Sequence, residues 1–107
     1  MGKIRCEKSL KELIKAECLD YFRREEELKS SELSRRVRME YAYLNSKIEE
    51  AVVSTVGAEL CPVYIKEIGE GTGYAKSSVY CFSERIYKEK KQECLIRIAR
   101  KLYLCDG

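Results

Sequence analysis

Apolar residues recur at steps of three and four along most of the chain, which is the spacing of one face of an α-helix. The pattern is clear over residues 8–28, where Lys, Arg and Glu side chains occupy the opposite face. It predicts an amphipathic helix over that range and a second helix over residues 32–56. Ser31 and Ser34 are both candidates for the N-cap of the second helix.

Five apolar residues of the second helix alternate by four and three positions, the a/d spacing of a coiled coil. A stripe this short is typical of a helical hairpin packed on the first helix, and it equally fits a two-fold contact in a homodimer. The residues of this predicted seam are Val37, Tyr41, Leu44, Ile48 and Ala51.

A short third helix is predicted after the second. Gly57 is a natural C-cap, and Pro62 suits the first turn of a helix that runs to Ile68. The β-branched and aromatic residues 63–65 also permit a strand, but the chain has no second strand to pair with it. The glycines of residues 69–73 lack the spacing of a phosphate-binding loop and therefore indicate a turn.

The last third of the chain has the outline of a helix-turn-helix. Residues 74–81 are long enough for two helical turns, and Ser83 is a candidate N-cap for a long helix reaching residue 102. We therefore predict an all-α single domain. Its parts are a helical hairpin (1–57), a short helix with a glycine-rich connection (58–73) and a helix-turn-helix-like unit (74–107).

Composition excludes several function classes. The 107 residues contain no histidine, so the commonest general base and metal ligand are missing, and a cysteine nucleophile would lack its usual partner. We therefore expect no enzyme, no metal site and no cofactor. The six cysteines form no C-x-x-C pair and are interpreted as buried, reduced thiols. No apolar run is typical of a signal peptide or a membrane span, which predicts a cytoplasmic protein without a membrane partner.

Positive charge is concentrated near the C-terminus. Residues 1–73 contain 13 Lys and Arg against 14 Asp and Glu, whereas residues 74–107 contain 8 against 4. Arg85, Lys88 and Gln92 share one face of the long helix, where arginine can read guanine and glutamine can read adenine. Candidate phosphate contacts flank this face: Lys76, Ser77, Ser78, Ser83, Lys90 and Lys91. A solvated face of mixed charge is the alternative, because Glu84, Glu89 and Glu93 interrupt it.

The long helix carries a pattern of a serine cap, an acidic and a basic residue, an aromatic residue, further basic residues and then apolar core positions. The residues of this pattern are Ser83, Glu84, Arg85, Tyr87, Lys88, Lys91, Ala99 and Leu102. The pattern resembles the recognition helix of the ArpU/RinA group of phage-encoded transcriptional regulators, which is similar to region 4 of sigma factors. This resemblance implies a DNA-binding regulator of phage or prophage genes with no cofactor and no catalysis. Double-stranded DNA is the partner it implies, with a homodimer and a contact with RNA polymerase as further candidates.

A function of a different class remains open. The chain is also typical of a helical protein-interaction module that binds no nucleic acid. The seam of the second helix favours this alternative. So do Ile86 and Ile96, which fall outside the predicted core stripe of the long helix and are expected to be exposed.

Overall fold

The computed structural model of the chain describes residues 8–79 and 81–103, and every regular element in them is helical. Four α-helices are present: α1 (Lys8–Leu28), α2 (Arg35–Val56), α3 (Cys61–Glu70) and α4 (Glu84–Tyr103). One 3-10 turn, Tyr74–Lys76, lies between α3 and α4. The all-α prediction is confirmed for these residues, and α3 is a helix rather than a strand.

Side-chain caps fix where two of the helices begin. The Ser34 hydroxyl accepts a hydrogen bond from the Val37 amide at 3.2 Å, so α2 begins after Ser34 and not near Ser31. The Ser83 hydroxyl accepts from the Ile86 amide at 3.3 Å and caps α4 as predicted. Each bond satisfies one of the amides that a helix leaves unpaired in its first turn.

One hydrophobic core joins the four helices. Helix α1 packs on α3, and α2 packs on α4 and also lies along α1. The crossing of α1 and α3 is close at Gly69, where a Cβ atom would lie 2.9 Å from the Leu19 nitrogen. The largest fully buried side chains come from all four helices: Ile14, Cys18, Ile48, Val52, Tyr64, Ile65, Tyr87, Cys94 and Ile98.

The predicted seam of α2 packs largely inside the chain. Ile48 and Ala51 are fully buried, and the other three members are half-buried. The Tyr41 ring lies 5.6 Å from the guanidinium carbon of Arg23 on α1. Since Ile48 and Ala51 belong to the core, they are not available for a contact with a second subunit.

A buried polar network joins α1 to α2. Arg24 is only 2% exposed, and its Nε donates to Asn45 Oδ1 at 2.7 Å. Its two terminal nitrogens donate to the side chain and the backbone carbonyl of Glu17, both at 3.1 Å. The Asn45 amide group donates in turn to the Tyr21 carbonyl and to the Glu25 carboxylate. A buried arginine is tolerable only with such partners, because an unpaired buried charge is strongly destabilising.

The helix predicted over residues 74–81 is wrong for the residues described. Only Tyr74–Lys76 forms a turn of 3-10 helix, and residues 77–79 and 81–83 are irregular. The Ser77 hydroxyl accepts from the Val79 amide at 2.9 Å, a local bond that competes with helical hydrogen bonding. The Ser78 amide donates to the Glu67 carboxylate instead of to a preceding carbonyl. Residues 71–79 and 81–83 therefore belong to a long connection between α3 and α4, rather than to a tight turn between two helices.

Two core tyrosines are expected to respond in opposite ways to loss of the hydroxyl. The buried Tyr64 hydroxyl has no hydrogen-bond partner among the described residues, whereas the Tyr87 hydroxyl donates to Glu67 at 2.8 Å. We expect Tyr64→Phe to raise the free energy of unfolding by about 1 kcal/mol and Tyr87→Phe to lower it by about 1–2 kcal/mol. Urea unfolding followed by circular dichroism measures both, and changes of the same sign would contradict the assignment.

Candidate nucleic-acid interface

Tyr87 sets the rotation of α4 about its own axis. This residue lies on the side of the helix opposite the predicted DNA-reading face. The Tyr87 ring is 1% exposed and lies 5.4 Å from the Tyr64 ring and 5.5 Å from the Tyr74 ring, measured between ring centroids. Anchoring this ring in the core turns the opposite side of the helix to solvent. The three predicted base-reading residues are all exposed on that side: Arg85, Lys88 and Gln92.

The charged groups of this face form ion pairs along the helix. The Arg85 guanidinium lies 3.2 Å from the Glu89 carboxylate, and the Lys88 ammonium lies 2.8 Å from that of Glu84. The Arg85 and Lys88 side chains are 75% and 65% exposed, so these pairs contribute little to stability. Both cations can therefore exchange a carboxylate for a phosphate or a base edge at low cost.

Several predicted phosphate contacts are engaged within the chain. The Ser83 hydroxyl caps α4, and the Ser77 hydroxyl donates to Glu67 Oε1 at 2.7 Å. The Lys91 ammonium donates to the Thr72 carbonyl at 2.7 Å, and burial lowers the pKa of Lys91. Lys76 is exposed at the end of the 3-10 turn. Of these four residues, Lys76 is thus the one most accessible to a phosphate.

Glu67 connects the segment after α3 to α4, and this role was not predicted from the sequence. It is 5% exposed, and its carboxylate accepts hydrogen bonds from the Ser77 hydroxyl, the Ser78 amide and the Tyr87 hydroxyl, at 2.7, 2.7 and 2.8 Å. Burial acts to raise the pKa of Glu67, but these hydrogen bonds and the nearby Lys91 charge outweigh it and hold that pKa below its ordinary value. Glu67 thereby ties the connection after α3 to α4. Helical periodicity assigns such a residue to the surface, so no sequence signal marked it.

The large exposed apolar side chains lie on α1 and on α2, where they are Met39, Tyr43 and Val53, and not on α4 as the interaction hypothesis expected. Ile96 packs against the core and Ile86 is half-buried. Leu19 and Phe22 are 53% and 39% exposed. They line a groove of about 410 Å³ between α1 and α3, together with Cys18, Lys66 and Glu70.

The described residues offer little for metal or thiol chemistry. Within residues 8–79 and 81–103, no cluster of three or more Cys, Asp and Glu side chains could hold a metal ion. Cys18, Cys61 and Cys94 are buried, and burial raises the pKa of Cys18 and of Cys94 to about 12, which keeps both thiols protonated. Cys81 is exposed, so the interpretation of the cysteines as buried thiols is wrong for this residue, and Cys6 and Cys105 lie outside the described residues.

Two further observations concern membranes and relatives. No helix in the described part of the chain is long and apolar enough to cross a bilayer. No protein-family model, curated protein or solved structure matches the chain. The resemblance of residues 83–102 to the ArpU/RinA group thus stays a prediction, and the function has to be inferred from the chain's own geometry.

Proposed function

We propose that this chain is a small, sequence-specific DNA-binding regulator of phage or prophage type that presents the first half of α4 to double-stranded DNA. The observation that supports the proposal is the shared exposure of Arg85, Lys88 and Gln92 on one side of that helix. Arginine and glutamine are side chains that bond bidentately to base edges in the major groove. A homodimer, a contact with RNA polymerase and a cytoplasmic location belong to the same proposal.

The local charge favours a polyanionic partner. Residues 84–92 carry four Lys and Arg against two Glu, and Lys76 adds an exposed cation on the neighbouring connection. The described residues contain no helix directly before α4, so this mode of binding differs from a standard helix-turn-helix. The buried contacts of Tyr87 and Glu67 would instead keep α4 in position. A rigid support of this kind reduces the entropy that the helix loses on binding.

Fluorescence anisotropy of a labelled mixed-sequence duplex tests the proposal. We expect micromolar binding at about 50 mM salt that weakens steeply at about 200 mM, because each neutralised phosphate releases counterions. Arg85→Ala should cost about 1–3 kcal/mol of binding free energy on a preferred site and relax the sequence preference there. Lys88→Ala, which would remove a second positive charge from the same face, should also weaken binding and make it less dependent on salt.

The matched control is Lys29→Ala. Lys29 is 74% exposed near the end of α1, and its removal changes the net charge by the same amount as removal of Lys88. If both alanine variants of α4 bind like Lys29→Ala, the assignment of this face is wrong. If the unmodified chain does not bind at about 50 mM salt, DNA is not its partner.

A helical protein-interaction module is the second candidate function. The observation that favours it is the groove between α1 and α3, where Leu19 and Phe22 expose apolar surface beside Lys66 and Glu70. Exposed apolar surface rimmed by charged groups is typical of binding sites for proteins. A folded chain without DNA affinity at low salt would leave this candidate as the better supported one.

A further inference from the structure

The groove between α1 and α3 carries two opposite charges without an ion-pair partner among the described residues. Lys66 and Glu70 are exposed, one helical turn apart on α3, yet no carboxylate or cation of the described chain lies within ion-pair distance of either. An ion pair within a helix is more stable when glutamate comes four residues before lysine, and here the lysine comes first. Both charges are therefore available to a partner.

We propose that a second copy of this chain docks on this groove and that Lys66 pairs with the partner subunit's Glu70. A two-fold axis passing between these positions would set the two α3 helices antiparallel. Lys66 of each subunit would then face Glu70 of the partner subunit. Because of the two-fold symmetry, the interface would contain this ion pair twice. A surface with one charge of each sign is complementary to itself. A uniformly acidic or basic partner would instead oppose one of the two charges.

The same contact would cover the exposed apolar side chains of α1. Leu19 and Phe22 lie at the groove, whose volume of about 410 Å³ accommodates an apolar side chain of a partner. Removing this surface from water supplies the favourable free energy, while the ion pairs fix the register. The dimer contact predicted on α2 uses different residues, of which Ile48 and Ala51 are buried. The proposed dimer does not rest on DNA binding.

Sedimentation equilibrium under reducing conditions, from about 1 μM to about 1 mM protein, spans the affinities expected of a weak dimer. We expect the unmodified chain to show a concentration-dependent dimer. Lys66→Glu and Glu70→Lys should each weaken it by about tenfold or more at low salt, since like charges then meet twice. An equimolar mixture of the two variants should recover dimers, because every acidic side chain of one variant would then face a basic side chain of the other.

Lys29→Glu is the matched control for charge. It changes the net charge as Lys66→Glu does, at an exposed position outside the groove. A chain that stays monomeric over the whole concentration range overturns the proposal and assigns the groove to a foreign partner or to none. The proposal also fails if Lys66→Glu weakens association no more than Lys29→Glu, or if mixing the two groove variants restores nothing.

Discussion

Replacing Arg24 with alanine is expected to lower the free energy of unfolding by about 3 kcal/mol. The guanidinium is almost fully buried and donates to Asn45 on α2 and to two oxygen atoms of Glu17 on α1. Its loss leaves the buried Asn45 carbonyl oxygen without this donor and opens a void between the two helices. Breaking a fully buried ion pair costs about 3–5 kcal/mol, and the partial exposure of Glu17 places the expected value at the lower end.

The neighbouring residue Arg23 provides the control. Arg23 forms ion pairs with Asp20 at 3.5 Å and Glu27 at 2.7 Å, but its side chain is 48% exposed. Arg23→Ala should therefore change the free energy of unfolding by no more than about 0.5–1 kcal/mol. Urea unfolding followed by circular dichroism gives both values. Equal effects of the two substitutions would mean that the burial of Arg24 does not matter to stability.

Periodicity predicted most of the helices because their apolar faces all contribute to one core. The range 8–28 was predicted with the bounds that α1 has, and the Ser83 cap of α4 was predicted at the correct residue. The error over residues 74–81 has a long-range cause. That segment is held by Glu67, a side chain on another helix, and spacing within the segment carries no information about such a partner.

The same limit applies to the candidate surfaces. The sequence placed Arg85, Lys88 and Gln92 on one side of a helix, and all three are exposed. It did not predict that the Lys91 ammonium would donate to the Thr72 carbonyl, because that contact depends on how α4 packs beside the end of α3. It also gave no sign of the groove between α1 and α3, because the groove depends on how these two helices pack, and they cross closely at Gly69.

Glu67→Gln is expected to lower the free energy of unfolding by about 3 kcal/mol at neutral pH. The carboxylate accepts hydrogen bonds from Ser77, Ser78 and Tyr87, whereas a glutamine would offer one acceptor oxygen and turn an amide donor toward them. Hydrogen bonds to a charged group contribute about 1.5–3 kcal/mol each, and unsatisfied buried groups add to the loss. Glu59→Gln, at an exposed position just before α3, should be nearly neutral.

The difference in free energy of unfolding between the unmodified chain and Glu67→Gln should depend on pH if it arises from the negative charge of Glu67. Hydrogen bonding holds the pKa of folded Glu67 below its ordinary value despite burial, so the ionised carboxylate stabilises the fold above the unfolded-state pKa of about 4.3. This contribution is lost as the pH falls below that value and through the lower pKa of the folded state. The gap between the unmodified chain and Glu67→Gln, measured by urea unfolding at a series of pH values, should therefore be full at neutral pH and shrink on acidification. A gap independent of pH would show that shape, not charge, makes Glu67 important.

A double-mutant cycle tests the hydrogen bond between Glu67 and Tyr87. Tyr87→Phe should lower the free energy of unfolding less in the Glu67→Gln background than alone, because the two side chains share one hydrogen bond.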